Sequence, residues 1–302
     1  MRFRIAMAGA AMLAAAVPAS AIDRDDPNYV SYTERSLSIP FADGQRGQIH
    51  LFGKLCIPQG AEGGKARLAI LNHGSPAKAS DRPTQNIGNC NSEPAQWMLG
   101  HGFAVVYAQR RGYGKTGGAW AEGYGSCNNP DYVRAGRETA RDIAAIVDFA
   151  VKQPGVRPDG VVVEGVSAGG WGTIAYNAQP HPKVIAIINM AGGRGGHQGE
   201  DSDENCGPDK LAEAAGVFGK TASTPMLWIY AQNDSFFGPD IARSMYQAYA
   251  KAGGKAEFHP VGEHDEEGHT LWSDEGGSQV WGPLVEAYLR KRGALDQFDG
   301  RE

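Results

Sequence analysis

The sequence of 302 residues predicts an α/β fold, a mainly parallel sheet of about eight strands flanked by helices. Two observations carry this. Short, continuously apolar runs such as Val161-Val162-Val163 and Ile185-Ala186-Ile187-Ile188 recur along the chain, as strands buried on both faces do. Amphipathic segments with helical spacing separate them, and the alternation of the two builds a parallel sheet with helical crossovers.

The strands are expected at residues 48–56, 67–71, 103–108, 160–164, 184–189, 225–230 and 256–261. Residues 29–56, with a Gly-rich link inside, fit an antiparallel hairpin at one sheet edge. In 137–151, Ala140, Ile143, Ala144, Val147 and Val151 form one apolar stripe, and Gln153-Pro154-Gly155 stops the helix. Residues 239–252 repeat the pattern, with Pro239 near the start and Gly253-Gly254 at the end, and 280–291 form a last amphipathic helix. Residues 192–223 show no clear strand and open on a Gly-rich run, which predicts a small cap inserted in one domain spanning 22–302.

Met1-Arg2-Phe3-Arg4, the uncharged stretch from Ile5 to Val17, and Ala19-Ser20-Ala21 read as a signal peptide over residues 1–21. The apolar part is shorter than the roughly 20 residues a membrane helix needs, so no stable membrane anchor is expected. The expected location is periplasmic or extracellular. The formal net charge is −5, and loss of Arg2 and Arg4 makes it more negative, which argues against nucleic acid as a partner. Cys56, Cys90, Cys127 and Cys206 are an even set, as disulfides in an oxidising compartment require; three pairings are open.

The chemistry centres on Gly165-Val166-Ser167-Ala168-Gly169-Gly170, between the Val161-Val162-Val163 strand and a helix-like segment from Trp171. This is G-x-S-x-G in strand, turn, helix context, where the turn exposes the Ser hydroxyl and the helix start aims the Ala168 N–H at a developing oxyanion. A Ser nucleophile needs a base oriented by a carboxylate, in the chain order Ser, acid, His. Asp234 follows the apolar run from Met226 and is the expected acid; Asp240 fits a helix N-terminal charge instead. Of His259, His264 and His269, the last, between Gly268 and Thr270-Leu271-Trp272, is the expected base. Asn72-His73-Gly74-Ser75-Pro76 follows a strand and is expected to supply a second oxyanion donor, the Ser75 N–H, with His73 bracing the loop. Gln109-Arg110-Arg111-Gly112-Tyr113-Gly114 makes Arg111 and Tyr113 candidates for substrate binding, with Trp171 as a candidate pocket wall. No H-E-x-x-H or C-x-x-C spacing suggests a metal, and no cofactor is expected.

G-V-S-A-G-G, N-H-G-S-P, R-R-G-Y-G, the Q-N-D after a strand and the late G-H resemble the dienelactone hydrolase branch of the α/β-hydrolase superfamily, which also resembles the catalytic domain of prolyl oligopeptidases. The resemblance covers nearly all of residues 22–302. It implies the α/β-hydrolase fold and a triad of Ser167, Asp234 and His269. Dienelactone hydrolases proper use a Cys nucleophile, and Ser stands here. The expected activity is carboxylesterase-like, on a small-molecule ester. Two other readings stay open: an exopeptidase-like hydrolase on the same triad, and a secreted binding protein that keeps the fold without turnover.

Overall fold

A computed structural model describes residues 22–295 apart from 23, 27–28, 45–46, 62–64, 87 and 198–203. The expected signal peptide, residues 1–21, lies outside the described residues. In chain order the elements are β1 (Tyr32–Ala42), β2 (Gln48–Pro58), β3 (Arg67–Asn72), α1 (Glu93–Gly100), β4 (Phe103–Ala108), β5 (Gly125–Ser126), β6 (Asn129–Pro130), α2 (Tyr132–Ala150), β7 (Val161–Val166), α3 (Ala168–Tyr176), β8 (Val184–Met190), α4 (Pro208–Gly219), β9 (Met226–Ala231), α5 (Pro239–Lys251), β10 (Ala256–Val261) and α6 (Ser278–Lys291).

Eight strands form one sheet in the order β1-β2-β4-β3-β7-β8-β9-β10. β1 and β2 are the expected edge hairpin, with Tyr32 opposite Pro58 and Ala42 opposite Gln48. β2 pairs antiparallel with β4, and all later pairings are parallel. The apolar runs divide between two cores. Val161 and Val163 face one with Ile143 and Val147 of α2, Trp171 of α3 and Leu211 of α4. Val162 faces the other, with Met98 of α1 and Trp281 and Val285 of α6. Burial on both faces is the reason these strands show no polar alternation.

α2 begins earlier than its apolar stripe predicts, because the Asp131 carboxylate caps it by accepting from the Arg134 N–H at 2.9 Å. Within the segment expected to form a cap, 192–223, α4 buries Leu211, Ala214, Ala215 and Phe218 in the first core. The Gly-rich run hid this helix by breaking the periodicity just before it. The cysteines pair as Cys56–Cys90 and Cys127–Cys206. The second bridge ties the β5–β6 turn to the segment entering α4. Among the described residues no helix is long and apolar enough to cross a membrane.

Candidate active site

The parallel strands deliver their following loops to one edge of the sheet, where open α/β sheets place their ligands. Ser167 stands between β7 and α3 with φ of 53° and ψ of −121°, left-handed geometry unusual for a residue with a side chain. Its N–H is held by the Met190 carbonyl at 3.0 Å, and its own carbonyl accepts from Gly193 at 3.1 Å. The flanking glycines are required by close approach. A Cβ on Gly165 would lie 2.5 Å from the Gly169 carbonyl carbon, and one on Gly169 would lie 2.3 Å from the Asn72 carbonyl oxygen. Ala168, the first residue of α3, has its N–H free of any intrahelical partner by position.

Asp234, in the loop after β9, is buried, and its Oδ1 accepts from the backbone of Phe236 and Phe237 at 2.9 and 2.8 Å. His269, in a short 3-10 turn after β10, turns Nδ1 to both oxygens of Asp234 at 3.0 Å. That contact requires Nδ1 to carry the proton and leaves Nε2 as the basic nitrogen. Burial alone would depress the imidazole pKa; the Asp234 charge and hydrogen bond, with Glu267 behind, outweigh it and raise it. Glu267 also accepts from the His269 N–H at 2.9 Å and from the Ser235 N–H at 3.1 Å, tying the loop of Asp234 to the loop of His269. Met190, which holds the Ser167 amide, lines a small cavity together with His269. The rival histidines lie elsewhere. His264 turns toward Asp265 and Asp274, and His259 toward Glu257.

The loop from His73 to Ser75 lies against Ser167: a Cβ on Gly74 would come within 3.1 Å of Ser167 Cβ. His73 is buried, and burial together with the Arg110 charge lowers its pKa to about 3, so it stays neutral. It braces the loop by donating from Nδ1 to the Gly74 carbonyl at 2.7 Å and accepting at Nε2 from the Arg110 amide at 3.3 Å.

The three candidates for substrate contact are placed otherwise. Arg111 is buried and bonds Asp142 and Asp43 at 2.7 and 2.8 Å and Glu138 at 2.8 Å, bracing its loop against α2 and the β1–β2 hairpin. Tyr113 is fully buried, its hydroxyl bonded to Glu122 at 2.9 Å and Ser75 at 2.5 Å. Trp171 is fully buried, donates to the Tyr132 carbonyl at 3.0 Å and packs on Phe218. None of the three is presented as a wall of an open site, because each satisfies core or ion-pair partners first.

A charged cluster stands beside the Ser75 loop, around Glu122, a residue that could hold a peptide terminus in the exopeptidase-like reading, and Arg194, which the sequence did not single out. Glu122 accepts from Arg110 and from Arg194, which follows β8. Burial pushes the Glu122 carboxyl up, but the two guanidiniums outweigh it and hold the pKa at about 2. Arg82 stacks over Trp120 at 3.5 Å, adding a third cation. The Gly-rich surroundings of Arg194 gave no periodicity by which to place it. An open cavity of ≈ 410 Å³ between β9, β10 and α5, lined by Tyr230, Phe258, Pro260 and Arg243, includes none of Ser167, Asp234 and His269.

Residues 91–193 match the prolyl oligopeptidase family. No curated protein matches the chain. Among solved structures it is similar to an acylaminoacyl peptidase of Pyrococcus horikoshii, at 16% identity and a TM-score of 0.60 over 90% of this chain and 43% of that one. An esterase of Pyrococcus furiosus aligns at 13% identity and a TM-score of 0.56 over 87% of this chain and 91% of that one. A Klebsiella pneumoniae protein assigned as a dienelactone hydrolase aligns at 14% identity and a TM-score of 0.55 over 86% and 99% of the two chains. The chain thus spans less than half of the acylaminoacyl peptidase, and these likenesses concern the fold. With its mostly parallel eight-stranded sheet and flanking helices the chain has the α/β-hydrolase fold, and its central segment is similar to the prolyl oligopeptidase family.

Proposed function

We propose that this serine hydrolase cleaves a carboxylic ester through Ser167, His269 and Asp234. The observation that carries the reading is the Asp234–His269 contact, which sets the imidazole tautomer, on the same strand edge as a Ser in the strained turn of G-x-S-x-G. His269 Nε2 takes the Ser167 proton as the hydroxyl attacks the ester carbonyl, and returns it to the leaving alcohol. Backbone N–H groups of Ser75 and Ala168 stabilise the oxyanion, and water activated by His269 then releases the acid from Ser167.

An ester is favoured over an exopeptidase substrate by the charge beside Ser75. Holding a peptide's terminal ammonium needs a free carboxylate, and Glu122, the buried carboxylate there, is occupied by Arg110 and Arg194. Export belongs to the same reading, supported by the Arg-led N-terminal sequence and by the two cysteine pairs.

Turnover of p-nitrophenyl esters from acetate to long acyl chains, by the protein and by a folded Ser167→Ala variant, tests it. Ester hydrolysis that disappears in the variant is expected. No hydrolysis of any ester, with Ser167 inert to a fluorophosphonate, would overturn the reading in favour of a binding protein.

A further inference from the structure

Glu164 is the one charged residue in the strand Val161-Val162-Val163-Glu164-Gly165-Val166, shortly before Ser167. Strand alternation puts it on the face of Val162, toward the core covered by α1 and α6. It is fully buried. Among the described residues only one side chain bonds its carboxyl: the Trp272 indole N–H donates to Oε1, and Oε2 is buried without a partner. The Glu164 main-chain carbonyl accepts from the Asn72 side chain at 2.8 Å, at the base of the His73–Ser75 loop.

Trp272 belongs to the loop that carries His269. It is buried, meets the Tyr107 ring edge-on at 6.4 Å, and lines the same small cavity as Gly268, His269 and Leu271. A lone buried carboxyl is a costly way to fill an apolar core, where a residue such as Leu would pack without desolvating a polar group. What Glu164 adds is direction: its single bond fixes the indole at one height on β7.

We propose that Glu164 is a positioning residue, which through the Trp272 indole fixes the loop carrying His269 to the strand carrying Ser167. One side chain thereby joins base and nucleophile in a common frame, while its backbone carbonyl holds the third loop through Asn72. The inference rests on the assignment of Ser167 and His269 as nucleophile and base.

The test compares Trp272→Phe, Glu164→Gln and the double variant Glu164→Leu/Trp272→Phe in the full chain. It measures kcat and KM for p-nitrophenyl acetate and, by NMR, the downfield proton shared by His269 Nδ1 and Asp234. Trp272→Phe is expected to lower kcat by about tenfold or more with KM within about twofold, as small misplacements of reacting groups do. It is also expected to shift or broaden the His269 proton. Glu164→Gln keeps an amide oxygen to accept from the indole and is expected to keep kcat within about threefold, with the resonance in place. The double variant replaces both polar partners by apolar ones, which is nearly neutral for stability, yet is expected to keep the kcat loss. Wild-type kcat and an unchanged His269 resonance in the folded Trp272→Phe and double variants would overturn the proposal. Should the unmodified chain fail to hydrolyse the ester, the enzymatic reading falls, and the resonance alone still decides whether Glu164 and Trp272 position His269.

Discussion

Arg194 donates from Nη1 to the Ser75 hydroxyl at 2.8 Å. Ser75 then donates to the Tyr113 hydroxyl at 2.5 Å, Tyr113 to Glu122 at 2.9 Å, and Arg194 closes the ring with its second arm on the same carboxylate. The direction of each bond follows from Arg having donors only and ionised Glu having acceptors only. The ring clamps the Ser75 loop.

Opening that ring in Arg194→Met is therefore expected to lower kcat/KM by about tenfold to a hundredfold, the scale on which misplaced groups act. Arg194→Lys should not restore it, because an ammonium cannot fork to Ser75 and Glu122 in one plane. Steady-state kinetics on one ester, beside thermal melts of each variant, checks both statements.

Asp234→Asn keeps the shape of the acid but presents an amide to His269, which favours the wrong imidazole tautomer. A fall in kcat on the order of 10³–10⁴-fold is expected. Stopped-time ester assays with long incubation resolve values that low.

The raised pKa of His269 places the acidic limb of the kcat/KM profile above the ordinary histidine value of 6.5. In the proposed mechanism His269 works when neutral, so activity rises with pH through that limb. Its contribution to stability runs the other way: the protonated ring is favoured in the folded state, so that contribution is complete below 6.5 and is lost as pH rises through the folded value. Asp234→Asn should move the limb downward, read from a pH series of kcat/KM.

Burial raises the Glu164 carboxyl from 4.5 to about 7. The unfolded chain releases this proton first, so the Glu164 contribution to stability is whole below 4.5, falls from there to about 7, and is level above. Glu164→Gln removes the titration and should gain stability over the unmodified chain as pH rises across that window, measured by urea unfolding at pH 5 and pH 8.

Arg111→Met leaves Asp142 buried without its cation, and Asp43 and Glu138 lose the same partner. Breaking a buried pair in this way costs about 3–5 kcal/mol, so a large drop in the urea midpoint is expected. The KM of any folded fraction should not change, which separates bracing from substrate binding.

Much of this molecule was legible in its residues. Doubly buried strands must be apolar throughout, so Val161-Val162-Val163 and Ile185-Ala186-Ile187-Ile188 announced themselves. The elbow at Ser167 was legible because its glycines answer local contacts that any such turn imposes. α4 was lost to the Gly-rich run before it, and Trp171 looked available for a pocket because an aromatic's burial has no local signature. Glu164 did carry a signal, a lone acid inside an apolar strand, but its partner Trp272 lies far along the chain.

Local sequence by itself determined the strand and helix alternation and the chain order of Ser167, Asp234 and His269, since strand burial, turn strain and loop order depend on neighbouring residues. Tertiary structure alone decided that Arg111 pairs with Asp43, Glu138 and Asp142, that Arg194 reaches Ser75, and that Trp272 meets Glu164. Those contacts join segments distant in sequence, and charge or hydrogen-bonding capacity names a residue's needs without naming the partner that packing brings within reach.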